Sequence, residues 1–221
     1  MATICGIDDS GRGPVIGPMV LAGVVVDEED LPKLKSIGVK DSKLLTPNQR
    51  EKLYPEILKI VKKYNIIKVS PEEIDKAVMS EEGSNLNYLE AEKMAEIINS
   101  LRPDKVIVDC PSNNKKAFAS FLQSKLKVNT SLRCEHKADI LFCEVSAASI
   151  LAKVTRDREI ELIKKEIGIN FNSGYPADPV TKKFLKENWN KYPKIFRHSW
   201  SSYKEYSEGK KSKKQKTLGE F

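Results

Sequence analysis

An α/β layered fold is what the sequence predicts, on three observations. Apolar runs of strand length alternate with amphipathic stretches of helical period over most of the chain. Two of those runs end in acids, at Asp8-Asp9 and at Asp109. The first acidic pair leads at once into the glycine-rich turn Gly11-Arg12-Gly13-Pro14 and a second apolar run, Met19 to Val26. That order reads as a strand, a tight loop and a return strand, with charge where the first strand stops.

The elements follow in order. Strands are expected at Thr3–Asp8 and Met19–Asp27, then a short helix from Asp30 to Ile37 and a polar connection, Val39-Lys40-Asp41-Ser42-Lys43. Thr46 and Pro47 supply an N-cap and first helical residue for a helix to about Lys63. Asn65–Ser70 alternates as a strand, and Ser70-Pro71-Glu72-Glu73 opens another short helix. Leu86–Leu101 repeats apolar residues at helical spacing, and Lys105–Asp109 is a buried-type strand. A helix at Lys115–Leu126 and a strand at Asn129–Glu135 precede one long helix, Ala138–Ile167, with the small-residue face Ser146, Ala147, Ala148 and Ser149. Beyond Gly174-Tyr175-Pro176 the texture changes: a helix from Asp178 to Trp189, then Trp200 and Tyr203, then a Lys- and Ser-rich tail expected to be disordered in isolation.

Composition narrows the class. A chain of 221 residues, 40% hydrophobic, suffices for one domain with or without a small appendage. A net charge of +7 favours a polyanionic partner, though ordinary proteins also carry such an excess. There is no basic leader with an apolar segment behind it and no apolar run of membrane-spanning length, which points to a cytoplasmic protein with no membrane partner. The four cysteines, Cys5, Cys110, Cys134 and Cys143, form no C-x-x-C pair. They read as free thiols in core positions rather than as a zinc site.

Acids at the ends of neighbouring strands, beside a helix start, can converge on one point. Asp8, Asp9, Asp109 and Asp139 are the candidates, and hard oxygen ligands without His or Cys suit Mg2+ or Mn2+. Adjacent acids on a strand face opposite ways, so Asp8 and Asp9 share a centre only if the strand bends there. Each acid also has an ordinary reading: Asp139 as an N-cap, Asp109 as a turn residue before Pro111, Asp8-Asp9 as a solvated turn. Spacing alone leaves both readings open.

The blocks Asp8-Asp9-Ser10-Gly11-Arg12-Gly13, Lys40-Asp41-Ser42-Lys43, Val108-Asp109, Lys137-Ala138-Asp139, Ser146 to Val154 and Ser173 to Pro179 occur in this order. Together they resemble the type 2 ribonucleases H (ribonuclease HII) of archaeal type, with their D-E-A-G-R-G, K-D-S-K, K-A-D, S-A-A-S-I-x-A-K-V and G-Y-x-x-D-P signatures. The resemblance implies a ribonuclease H-like fold, a mixed central sheet flanked by helices, with a C-terminal helical extension. It divides the chain into a catalytic domain at 1–172, a substrate-contacting extension at 173–206 and a flexible basic tail at 207–221. It implies cleavage of the RNA strand of RNA–DNA hybrids and incision 5′ of ribonucleotides embedded in duplex DNA, leaving 3′-hydroxyl and 5′-phosphate ends. Asp8, Asp9, Asp109 and Asp139 would hold two divalent ions, and the resemblance favours a monomer. Asp9 stands where the family usually has Glu, one methylene shorter, and Ser10 replaces the usual Ala. Asp9 is the one feature that favours the alternative of a catalytically weakened nucleic-acid-binding protein; another nuclease on the same fold is a further alternative, which an all-DNA substrate tests.

The glycine turn has a physical rationale of its own. A 2′-hydroxyl both donates and accepts, and main-chain groups reach it where no side chain blocks them, as in Gly11-Arg12-Gly13. Tyr175 resembles the family tyrosine that packs on the neighbouring deoxyribose. Lys40, Ser42, Lys43 and Lys153 are candidates for phosphate contact, and His136 reads as structural. A dinucleotide loop is disfavoured, because Pro14 and a strand follow where a helix should start. The tail ends in Gln215-x-x-Leu218-x-x-Phe221, the spacing of a segment that docks on a DNA sliding clamp.

Overall fold

Strands β1 (Thr3–Ser10) and β2 (Met19–Asp27) pair antiparallel along their whole length, from Thr3 opposite Asp27 to Ser10 opposite Val20. The computed structural model describes residues 2–39, 42–80 and 85–208, without the Lys43 side chain. Helices α1 (Leu31–Ser36) and α2 (Pro47–Ile60) lead to β3 (Lys63–Val69), which pairs antiparallel with β2. Helices α3 (Pro71–Val78) and α4 (Leu86–Leu101) precede β4 (Lys105–Asp109); α5 (Lys115–Ser124) precedes β5 (Ser131–Glu135). Strand β4 pairs parallel with both β1 and β5, so the order is β3-β2-β1-β4-β5 in a mixed five-stranded sheet. The chain then runs through α6 (Ala138–Leu141), α7 (Cys143–Ile167), α8 (Pro179–Asn188) and α9 (Ser201–Ser207).

Period-two alternation distributes the apolar residues. Ile4, Val20, Ala22, Val24, Val26 and Ile107 face α1, α2 and α7. Cys5, Ile7, Met19, Leu21, Val25, Val106 and Val108 face α3, α4 and α5. Both faces of the sheet are covered, which is why β2 reads as one unbroken apolar run. A third cluster joins Val15 and Ile16 of the β1–β2 connection and Ile160 of α7 to Phe171, Phe184, Leu185, Phe196 and Tyr203. It mixes residues from both sides of the expected boundary at 172. All four cysteines are buried free thiols, and no helix among the described residues is long and apolar enough to cross a membrane.

Several boundaries differ from the sequence reading, among them the starts of β3 at Lys63 and β5 at Ser131 and the end of α5 at Ser124, and three differences have a visible cause. Strand β1 does not stop at Asp8; its ladder with β2 runs on through Asp9 and Ser10. Helix α2 ends at Ile60, three residues early, because Val61 turns extended and the Lys62 N–H donates to the Val25 carbonyl, drawing the chain into the sheet. The expected helix from Ala138 to Ile167 is two helices. Phe142 between them is extended, at φ −127° and ψ 120°, and the Ser146 hydroxyl donates to the carbonyls of Asp139 and Phe142. The caps agree with expectation: Thr46 and Gln49 form a capping box, and the Ser70 and Asp178 side chains accept from the first turns of α3 and α8.

Candidate active site

A pocket of about 290 Å3 opens where β1 and β4 stop pairing. The parallel ladder ends at Ile7 opposite Val108, so Asp8 and Asp109 come next, side by side, at the carboxyl ends of two adjacent parallel strands. Crevices at such a position are where open α/β sheets take their ligands. Asp8, Asp9, Asp109 and Asp139 all line it, with Gly11, Arg12, Gly13, Ser42, Lys153 and Tyr175. Three stretches of sequence therefore deliver four carboxylates to one cavity.

Strand alternation decides how each acid arrives. Asp8 shares the face of Ile4, lies under α7 and is hydrogen-bonded by Ser149. Asp109 shares the face of Ile107, and its carboxylate accepts from the Ala138 N–H at 2.7 Å, capping α6 from outside the helix. Asp139 lies buried in the first turn of α6. It is not the N-cap: Lys137 holds that position in the left-handed region at φ 56°, with no side-chain cap. Asp9 faces the other way, towards Glu90 of α4, and meets the pocket at its rim without a break in the strand ladder.

The electrostatics of the pocket call for positive charge. Burial, then the charges of Asp9 and Asp109, push the Asp8 carboxyl well above its ordinary range. Ser149 and the Asp9 N–H, which donates to Asp8 Oδ1 at 2.8 Å, pull it back only in part. Four hard carboxylates around a buried, mutually repelling centre are a donor set of the Mg2+ or Mn2+ type. Among the described residues, however, no three His, Cys, Asp or Glu side chains stand within reach of one ion as they are now turned. The donors are present but do not converge on one ion position, and Asp8 and Asp109 each accept from a main-chain N–H.

The glycine turn sits at the pocket mouth. Gly11 has φ +88°, and a β-carbon there would meet Arg156 Cδ at 2.6 Å and the Pro18 carbonyl at 2.9 Å, so only glycine fits. Tyr175, 39% exposed, lies 3.5 Å from where a Gly13 β-carbon would stand, with the Arg156 guanidinium 5.3 Å from its ring centre. The Arg12 side chain turns to α4, where it pairs with the fully buried Glu90 and donates to Asn87 Oδ1 at 2.7 Å. Burial and then Asp9 raise the Glu90 carboxyl to about 8 in spite of that pairing. Arg12 is half-exposed, so its attraction is the weaker influence.

Of the phosphate-contact candidates, Ser42 and Lys153 line the pocket. Ser42 Oγ lies 2.9 Å from Ser149 Oγ, and Lys153 Nζ lies 2.6 Å from Asp157, with burial lowering its pKa. Lys40, Gln215, Leu218 and Phe221 lie outside the described residues, as does the side chain of Lys43. His136 Nδ1 is 3.1 Å from the Cys110 carbonyl, a structural place.

Several residues in the pocket or packed behind it escaped the sequence reading as part of the site. Arg50 and Ser149 line the cavity. Ser149, Lys153 and Arg156 follow at i, i+4 and i+7, a face the sequence does display. Glu90 interrupts the apolar stripe Leu86, Met94 and Ile97, also a visible signal. Arg197 and Trp200 carry no such mark. Arg197 is fully buried and donates to the carbonyls of Gly11 (2.6 Å), Arg12 (3.0 Å) and Gly17 (3.0 Å); Trp200 Nε1 donates to Gly13 O at 3.1 Å.

Comparison with known proteins adds independent information. The family model for ribonuclease HII matches residues 5–203. A ribonuclease HII of Pyrococcus horikoshii is 46% identical over 99% of the chain and 98% of its own length. A solved ribonuclease H2 from Pyrococcus horikoshii superposes with a TM-score of 0.85 at 45% identity, covering 93% of this chain and 97% of that one. A ribonuclease HII of Archaeoglobus fulgidus, solved in complex with PCNA, superposes with a TM-score of 0.76 at 42% identity, covering 84% and 86%.

Proposed function

The chain belongs to the ribonuclease HII family, an enzyme of ribonuclease H-like fold that cleaves RNA in RNA–DNA hybrids, and from that premise we propose how its own residues do so. Asp8, Asp9, Asp109 and Asp139 would hold two divalent ions, Mg2+ or Mn2+, in the pocket they line. Such ions would supply an activated water and a counter-charge for the departing 3′ oxygen, in keeping with products that carry 3′-hydroxyl and 5′-phosphate ends. The observation that carries the reading is the meeting of four carboxylates from three stretches in one pocket.

The remaining residues position substrate. Arg12 and Gly13 N–H groups meet the ribose hydroxyl, Tyr175 packs on the next sugar, and Ser42 and Lys153 face phosphate, with Lys40 and Lys43 in the same role. This set fits incision 5′ of a single ribonucleotide in duplex DNA as well as cleavage of continuous hybrid. The test is a DNA duplex with one ribonucleotide, incubated with Mg2+ or EDTA beside an all-DNA control. Cleavage only with the ribonucleotide and only with metal is expected; cleavage of the all-DNA duplex refutes the ribose-reading assignment.

The tail carries a second part of the proposal. The Archaeoglobus fulgidus relative was solved with PCNA, and Gln215, Leu218 and Phe221 have the spacing of a clamp-docking segment. Deleting residues 215–221 is expected to abolish binding to a sliding clamp while cleavage stays unchanged. Equal clamp affinity without those residues removes the assignment.

A further inference from the structure

Arg197 sits in the C-terminal extension, yet its guanidinium ends inside the Gly11–Gly17 loop. Its own N–H donates to the Val15 carbonyl at 2.9 Å, and Phe196 bridges Ile16 in a single β-type pair. The side chain is fully buried and spans three carbonyls, those of Gly11, Arg12 and Gly17. Trp200, whose ring lies 4.9 Å from that guanidinium, takes the Gly13 carbonyl.

Planar trans peptides make this grip directional. No peptide in the described chain is cis. Within each peptide unit the C=O and the following N–H point in opposite directions. Drawing the Gly11 and Arg12 carbonyls to Arg197 therefore turns the N–H groups of Arg12 and Gly13 away from it. We propose that Arg197, assisted by Trp200, is the positioning residue for ribose discrimination: from the extension it aims the Arg12 and Gly13 N–H donors at the sugar hydroxyl. The inference rests on the ribose-reading role proposed above for the turn. Lysine keeps the charge but not the planar fork, so it cannot span three carbonyls.

The experiment measures binding, in EDTA, of a DNA duplex with one ribonucleotide and of the same duplex in all-DNA form, for the wild type, Arg197→Lys, Arg197→Gln and Trp200→Phe. Wild type is expected to prefer the ribonucleotide duplex. In Arg197→Lys and Arg197→Gln that preference is expected to fall about tenfold while all-DNA affinity holds within about twofold. A merely structural role lowers both affinities together, with the folded fraction read by thermal melting, and overturns the proposal. So does an unchanged preference in a folded Arg197 variant. Should neither Arg197 variant melt cooperatively, Trp200→Phe decides: a reduced preference supports the proposal and an unchanged one overturns it. Absence of any preference in the wild type instead refutes the ribose-reading role of the turn itself.

Discussion

Asp9 of β1 faces Glu90 of α4, and its charge helps to raise the Glu90 carboxyl. Asp9 lines the pocket beside Asp8, Asp109 and Asp139. Asp9→Ala is expected to lower Mg2+-dependent cleavage by about a hundredfold or more with the melting temperature kept, as loss of a ligand exceeds loss of its supporting partner. A wild-type rate in that variant removes Asp9 from the metal site. Glu90 predicts a pH effect on stability. Its folded pKa of about 8 lies above its ordinary 4.5, so the folded protein binds this proton more tightly than the unfolded chain. The contribution is complete below the ordinary value and is lost as pH rises through about 8. Urea midpoints in EDTA should fall between about pH 6 and about pH 8 in the wild type and fall less in Glu90→Gln; equal slopes in the two proteins contradict this. The raised Asp8 carboxyl sets protons against cations at the pocket. Mg2+ should therefore raise the melting temperature more at higher pH, through its preference for the folded state, and Asp8→Asn should lose most of the shift.

At the scale of elements, the site depends on α7 lying directly on β1. A β-carbon at Gly6 would collide with the main chain of Glu144 and Val145, so glycine there is a packing requirement. Gly6→Ala is expected to cost about 3 kcal/mol in chemical denaturation, because main chain cannot yield as a flexible side chain does. A loss under about 1 kcal/mol would show that α7 moves freely on the sheet. The break at Phe142 has the complementary role. It lets α6 take its own direction, so that Ala138 N–H meets Asp109 while Ser149 of α7 meets Asp8. A continuous helix would carry one apolar stripe; the break instead leaves Ile140 and Leu141 exposed at 56% and 65%.

Across the whole molecule, the extension and the catalytic layers share a core. Val15 and Ile16 are fully buried against Phe171, Phe184 and Phe196, and Asp75 of α3 accepts from His198, Ser199 N–H and the Ser199 hydroxyl. Truncation after residue 172 strips that cover and removes Arg197. Calorimetry should show one transition for the full chain and a markedly lower one, without ribose preference, for the truncated form. A truncated protein melting with the full chain would establish the extension as separable.

The chain-long resemblance of the ordered blocks singled out the four acids, which spacing alone left open; period-two and period-3.6 patterns and caps were enough to read the α/β class and most elements from sequence. These signals are local: each depends on residues a few positions apart along one element. The fold alone decided which face of β1 each of Asp8 and Asp9 occupies relative to α7 and α4, that Asp109 caps α6, and that Phe142 divides the last long helix. It alone brought Arg197, 186 residues away, to the Gly11 carbonyl. Contacts of that kind are set by how layers stack and where strands diverge, and a pairing between distant main-chain carbonyls and one buried guanidinium leaves no periodicity in the sequence to read.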